Sequence, residues 1–184
     1  MATEADYYVC AGDLVSWARG LDKMAPPMQA KADQIYVLPG NHESIDDIGK
    51  FCETYGFHNL HGKVVELEGG ESSGPVKMAG LGYSTTTPFN TPGEYTEDEM
   101  IQHLTPLSEE KLKILVCHAP PLDTDLDRIK EGLHGGSFAV RQFIEATQPE
   151  NFFCGHIHEA EGVVVQIGRT RAQNVGKAGC LLGW

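Results

Sequence analysis

Six residues of this chain have the types and spacing for metal chemistry: Asp13, Asn41, His42, His118, His156 and His158. Each follows a short apolar run. "YYVCAGD" ends on Asp13, "IYVLPGNHE" carries Asn41 and His42, "KILVCH" ends on His118, and "FFCGHIHE" carries His156 and His158. Short, near-continuous apolar runs read as strands buried on both faces. Ligands of open α/β sheets gather beyond the carboxyl ends of the strands, so polar clusters repeated at that position point to one site. Carboxylate, amide oxygen and imidazole together suit borderline divalent cations such as manganese, zinc or iron(II). Asp13 supplies charge and can bridge two ions, Asn41 offers a neutral carbonyl oxygen, and the histidines offer ring nitrogens. On an extended backbone residues i and i+2 point to the same side, so His156 and His158 are expected to face one site. No P-loop occurs.

Taken singly, each residue has a plainer reading. Asp13 could be a turn residue or a helix cap. Gly40-Asn41 favours positive φ and could simply turn the chain. A lone strand-end histidine such as His118 is commonly structural or solvated. Glu43 and Glu159 read equally as partners that orient ligand histidines and as solvated charges. In "LHGGSFAVRQF" the backbone N–H groups before the helix could hold a phosphate or other anion, or the stretch could be a loop with Ser137 as N-cap. His58, His61 and His103 lie outside the motifs and receive no role. The polar, proline-bearing stretch 85–99 is expected to border a substrate cleft.

The elements that must position these groups alternate between strand and helix. "VVELE" (64–68) and "VKMAGLG" (76–82) flank "GGESSGP" and read as a hairpin with a longer loop; "GVVVQIG" (162–168) is a further strand. "SIDDIGKFCETYG" starts on Ser44 as N-cap, with Asp47 three residues on and Gly56 to end the helix. "TEDEMIQHL" has Thr96 and Glu99 at capping-box spacing. "SFAVRQFIEATQP" carries Phe138, Val140, Phe143 and Ile144 as apolar anchors. Strands alternating with helices, plus a hairpin-rich middle, predict an α/β sandwich forming a single domain over residues 1–184.

Bulk properties exclude several classes. Net charge is −12 from 14 basic and 26 acidic residues, with no basic block; a nucleic-acid partner, which needs such residues against its phosphates, is not expected. No apolar run reaches the roughly 18 residues of a membrane span, and the start "MATEADYYV" lacks a secretory pattern, so no membrane contact and a cytoplasmic location are expected. The five cysteines show no C-x-x-C pair and read as small buried thiols rather than a disulfide framework, with a thiolate metal site as the lesser alternative.

The order GD, GNHE, an isolated His and GHIH resembles the signature of calcineurin-like metallophosphoesterases, over about Ala5 to Gly168. "FHNLHGKVVEL" and "KMAGLGYS" are similar to the small prokaryotic-type branch of predicted phosphoesterases. The resemblance implies an α/β/β/α sandwich of the metallo-dependent phosphatase type. It also implies hydrolysis of a phosphodiester or phosphomonoester by in-line attack of a metal-activated hydroxide. By motif position Asp13 would bridge two metals, Asn41, His118 and His156 would complete the second metal site, and His158 would belong to the first. His42 would act near the leaving group. Manganese is the expected cation, with iron, zinc or nickel as alternatives, and a small phosphorylated molecule the expected substrate.

The family's D-x-H motif, which precedes GD and supplies an Asp and a His to the first metal, does not occur in this sequence. A strand and crossover need about a dozen connecting residues, more than the stretch before Asp13 allows. The expectation is a chain shortened at both ends, holding one metal tightly where the full site holds two. Exposed apolar surface, and with it a homo-oligomer, would follow. The rival expectations are a mononuclear hydrolase and a non-catalytic binding or scaffold module on the same fold.

Overall fold

The computed structural model describes residues 4–69 and 74–184. Strands β1 (Tyr8–Cys10), β2 (Ile35–Val37) and β3 (His58–Asn59) form a parallel sheet in the order β1-β2-β3, with helix α1 (Ile45–Tyr55) between the last two in sequence. Next come β4 (Lys63–Leu67), β5 (Val76–Leu81), the short β6 (Ser84–Thr85) and β7 (Glu94–Tyr95), helix α2 (Glu97–Leu104) and β8 (Ile114–Cys117). The pair β9 (Arg128–Lys130) and β10 (Leu133–His134) leads into helix α3 (Phe138–Thr147), followed by β11 (Asn151–Cys154), β12 (Val164–Ile167) and β13 (Thr170–Asn174). Six of these strands make a second, mixed sheet in the order β12-β13-β11-β8-β5-β4.

Strand period and helix stripe dictate how the layers stack. Alternate residues of β2 face opposite ways. Ile35 and Val37 pack under Ile48, Phe51 and Cys52 of α1, while Tyr36 and the following Leu38 meet Leu67, Val76, Met78, Ile114, Val116 and Phe153 of the second sheet. That sheet's other face presents Ala79, Leu81, Leu115, Cys117, Phe152 and Cys154 to Met100 and Leu104 of α2 and to Val140, Phe143 and Ile144 of α3. The result is the expected α/β/β/α sandwich. The helices start where their caps demand: Ser44 with Asp47, and Thr96 with Glu99, form reciprocal capping boxes, each cap contributing about 1 kcal/mol. Gly56 closes α1 at φ 76°.

The hairpin of β4 and β5 pairs Lys63 with Gly80 through Leu67 with Val76; residues 70–73 of its anticipated loop lie outside the described residues. Two features differ from the sequence reading. β1 is not buried on both faces: it lies at the edge of its sheet, and Val9 is 38% exposed. β13, "TRAQN", was invisible to a search for apolar runs, yet it sits between β11 and β12 with Thr170, Gln173 and Asn174 buried. Its amide Asn174 has a structural task, donating through Nδ2 to the carbonyls of Gly155 and Ile157. Residues 175–184 return over the space between the sheets, where Val175, Leu182 and Trp184 pack and Trp184 stacks on Tyr7. The cysteines are free thiols; Cys52, Cys117 and Cys154 are buried and Cys180 is exposed. Burial pushes the Cys10 thiol up to about 11 and Cys52 up to about 12, so neither offers a thiolate to a metal at neutral pH.

Candidate metal centre

The loops after β1, β2, β8 and β11 converge, and two glycines allow it. Gly12 has φ 93°, and a Cβ there would stand 2.6 Å from His118 Nδ1. A Cβ on Gly40 would fall on the Asp13 carboxylate. Asp13 itself has φ 54°, in the left-handed region that non-glycine residues seldom occupy. Glu43 holds this geometry. Fully buried, it accepts hydrogen bonds from the backbone N–H groups of Asp13 (3.0 Å), Gly40 (2.9 Å) and Val15 (3.0 Å), clamping the loop after β1 to the loop after β2. Glu43 therefore orients loops through these three N–H groups. Burial, followed by the nearby Asp13 charge, raises its carboxyl above the ordinary range even though the Val15 and Gly40 N–H groups pull the other way.

Four acceptors meet in front of these loops. Asp13, His118 and His156 each offer a ligand atom, all within 4.8 Å of one another. Asn41 Oδ1 lies 3.1 Å from His118 Nε2 and 2.9 Å from His156 Nδ1, and Asp13 Oδ2 lies 3.4 Å from His118 Nε2. His118 Nδ1 is 2.8 Å from the Ala11 carbonyl oxygen, which can only accept. That contact places the proton on Nδ1 and leaves the Nε2 lone pair facing the oxygens of Asp13 and Asn41. Lone pairs pointed at one another repel unless a cation or proton stands between them. A second proton, on His118 Nε2, is one way to meet this demand. Burial alone would raise the Asp13 carboxyl, but the hydrogen bond and charge of His118 outweigh it and hold Asp13 well below the usual carboxylate range. Burial opposes charge on His118 as well, yet Asp13 raises its proton affinity. Burial and then the His118 charge push His156 down to about 3, so its imidazole is neutral and free to bind metal. The donor set thus fits a divalent cation of manganese, iron or zinc type.

The orientation of Asn41 is also fixed. Its Nδ2 donates to the Thr91 hydroxyl at 3.1 Å, and that hydroxyl donates onward to Glu94 Oε1. An acceptor facing Nδ2 turns Oδ1 inward. Burial would raise the Glu94 carboxyl, but hydrogen bonds from Thr87 and Thr91 bring it down to about 2, so it stays an acceptor. Thr91 and Glu94 belong to the polar stretch 85–99, expected only to border a cleft; "TPGE" gave no sign that it holds a ligand amide.

His42 is half-buried, its backbone N–H donating to Asp13 Oδ1 at 3.1 Å. Its Nδ1 is buried without a hydrogen-bond partner among the described residues, as expected of a nitrogen whose partner arrives with a ligand. The extended backbone from which a same-side pairing of His156 and His158 was expected is not present. β11 ends at Cys154, His156 takes φ 65°, and His158 begins a one-turn 3₁₀ helix. The backbone is not extended there. His158 is exposed and lies outside the donor cluster, though near enough for its charge to lower His156. The N-terminus of α3, considered for an anion, already has one: Glu97 of α2 accepts from Ser137 Oγ and from the N–H groups of Phe138 and Ala139, each at 2.9 Å.

Comparison with known proteins agrees with this fold. A curated relative, the uncharacterized protein MJ1162 of Methanocaldococcus jannaschii, is 34% identical over 180 residues, covering 92% of this chain and 77% of that protein. The crystal structure of TT1561 of Thermus thermophilus superposes with a TM-score of 0.67 at 17% identity, over 94% of this chain and 77% of that one. Phosphopantetheinyl hydrolase PptH of Mycobacterium tuberculosis gives 0.66 at 13% identity, over 100% of this chain and 82% of its own. A further crystal structure, at 21% identity and TM-score 0.66, is spanned over 65% of its length. At these identities the structures speak for the fold. The family model for calcineurin-like phosphoesterases matches residues 2–160, and the chain belongs to that family.

Proposed function

We propose that this protein hydrolyses phosphoric esters of small molecules, using one divalent cation held by Asp13, Asn41, His118 and His156. The observation that carries the reading is the convergence of Asp13 Oδ2, Asn41 Oδ1, His118 Nε2 and His156 Nδ1, with His118 Nδ1 occupied by the Ala11 carbonyl. Family membership supports metal-dependent phosphoester hydrolysis in general. When bound, a divalent cation lowers the pKa of water and neutralises charge on phosphoryl oxygens.

The chain's own residues do the rest. Asp13 contributes the negative charge that favours the cation, and the His42 N–H fixes one of its oxygens. Asn41, held by Thr91, presents its carbonyl oxygen without adding charge. His42 supplies a proton from its imidazole to the departing oxygen, which completes the ester's cleavage. Manganese is the proposed cation, because one carboxylate, one amide oxygen and two imidazoles form a mixed oxygen and nitrogen set. The net charge of −12 favours a small substrate over a long nucleic acid. No helix among the described residues is long and apolar enough to cross a membrane.

The test is manganese-dependent hydrolysis of p-nitrophenyl phosphate and bis(p-nitrophenyl) phosphate, with metal content measured alongside. His42→Ala should lose roughly 100-fold or more in kcat while keeping its metal. Metal held by a chain that cleaves neither ester would replace this reading with the binding-module alternative.

A further inference from the structure

We propose that Trp17 is a substrate-contact residue whose exposed ring stacks on a planar ring carried by the departing group. The proposal rests on the hydrolase reading above and names the class of ester it would take. Trp17 is 45% exposed, and the one-turn 3₁₀ segment Ser16–Ala18 that carries it contains no buried residue. Its ring lies 5.8 Å from the His42 ring, centroid to centroid, at 59°. A large apolar side chain held in water beside the candidate proton donor does not serve the core. The other tryptophan, Trp184, packs onto the between-sheet cluster instead.

The placement is built in rather than incidental. The preceding residues are anchored to the metal loops, since Glu43 takes the N–H groups of both Asp13 and Val15. Beyond that anchor the chain turns sharply: Trp17 has φ 57° and Ala18 φ 51°, both in the left-handed region. The turn leaves the ring on the His42 side of the loop. A phosphoryl group drawn to a cation held by Asp13, Asn41, His118 and His156 would turn its departing oxygen toward the neighbouring His42, and the group attached to that oxygen would then meet Trp17. An indole face binds planar rings by stacking, and every nucleobase or aryl group offers such a face.

Two matched pairs of esters test this with manganese-loaded protein: AMP against ribose 5-phosphate, which lacks only the base, and benzyl phosphate against ethyl phosphate. Trp17→Ala should lower kcat/KM roughly ten-fold for the ring-bearing member of a pair and leave its ringless partner within about two-fold, while Trp17→Phe restores most of the loss. A response in the AMP pair identifies a nucleobase, and one in the benzyl pair an aryl group. Equal losses on both members of both pairs would overturn the proposal. A second readout needs no turnover. In a Trp184→Phe background Trp17 is the sole tryptophan, and in zinc-loaded protein (zinc being diamagnetic) AMP or benzyl phosphate should quench its fluorescence while ribose 5-phosphate and ethyl phosphate do not. Absence of quenching by either ring-bearing ester overturns the proposal, whereas quenching without hydrolysis of any ester would sink the hydrolase reading alone.

Discussion

Glu43→Gln changes one oxygen to nitrogen and keeps the side chain's shape, so its cost follows from hydrogen bonding. Glu43 Oε2 accepts from the N–H groups of Asp13 and Gly40, and Oε1 from that of Val15. Glutamine has one carbonyl oxygen. Placed at Oε2 it keeps two bonds and turns its NH₂ toward the Val15 N–H, donor against donor. One charge-assisted bond, worth about 2 kcal/mol, is lost, and two others weaken by about 1 kcal/mol each as the acceptor becomes neutral. Removing a buried charge that burial and Asp13 already disfavour offsets part of this. The net loss of stability should be about 2 to 3 kcal/mol, read from urea unfolding with and without manganese. Because Asp13 loses part of its anchor, manganese affinity by calorimetry should fall about ten-fold or more. A variant within about 0.5 kcal/mol of the parent, binding manganese equally well, would show that Glu43 does not set the loop geometry.

The Thr91 hydroxyl fixes the Asn41 amide, so Thr91→Val, which keeps shape and removes the hydroxyl, should weaken manganese binding by about ten-fold; unchanged affinity by calorimetry would remove Thr91 from the account. His61 offers a pH test away from the metal ligands. Its Nδ1 accepts from the Gly82 N–H at 3.0 Å, and burial pushes its pKa down to about 4. The unfolded chain, with His61 near its ordinary value, binds the extra proton at higher pH than the folded chain does. Stability should therefore be full above about pH 6.5 and decline as pH falls toward 4, by about 2.5 kcal/mol at pH 4.5. His61→Gln should flatten that part of the profile, and a slope identical to the parent's would contradict the assignment.

Much of this was legible in the sequence because the fold follows from periodicity and caps. The apolar runs marked the strands that carry the metal loops, and Ser44 with Asp47, like Thr96 with Glu99, marked helix starts through side-chain bonds that local spacing alone specifies. What was not legible depends on long-range contact. β13 is buried through Thr170, Gln173 and Asn174, and the Asn174 amide is satisfied by distant carbonyls. Thr91 and Glu94 reach Asn41 across 50 residues of sequence. The role of Glu43 depends on the loop after β1, and Glu97 caps a helix that begins some 40 residues later. Same-side pairing of His156 and His158 was inferred for an extended chain, whereas His156 turns left-handed.

Asp13, Asn41, His118 and His156 are proposed to form one cation centre. Equilibrium dialysis against manganese, followed by metal analysis, tests it most directly in the parent chain and in His118→Ala, His156→Ala and His158→Ala. About one tightly held manganese per chain is expected, lost in the first two variants and retained in the third, because His158 stands outside the donor cluster. Metal retained by both His118→Ala and His156→Ala, or two tightly held metals per chain, would contradict it.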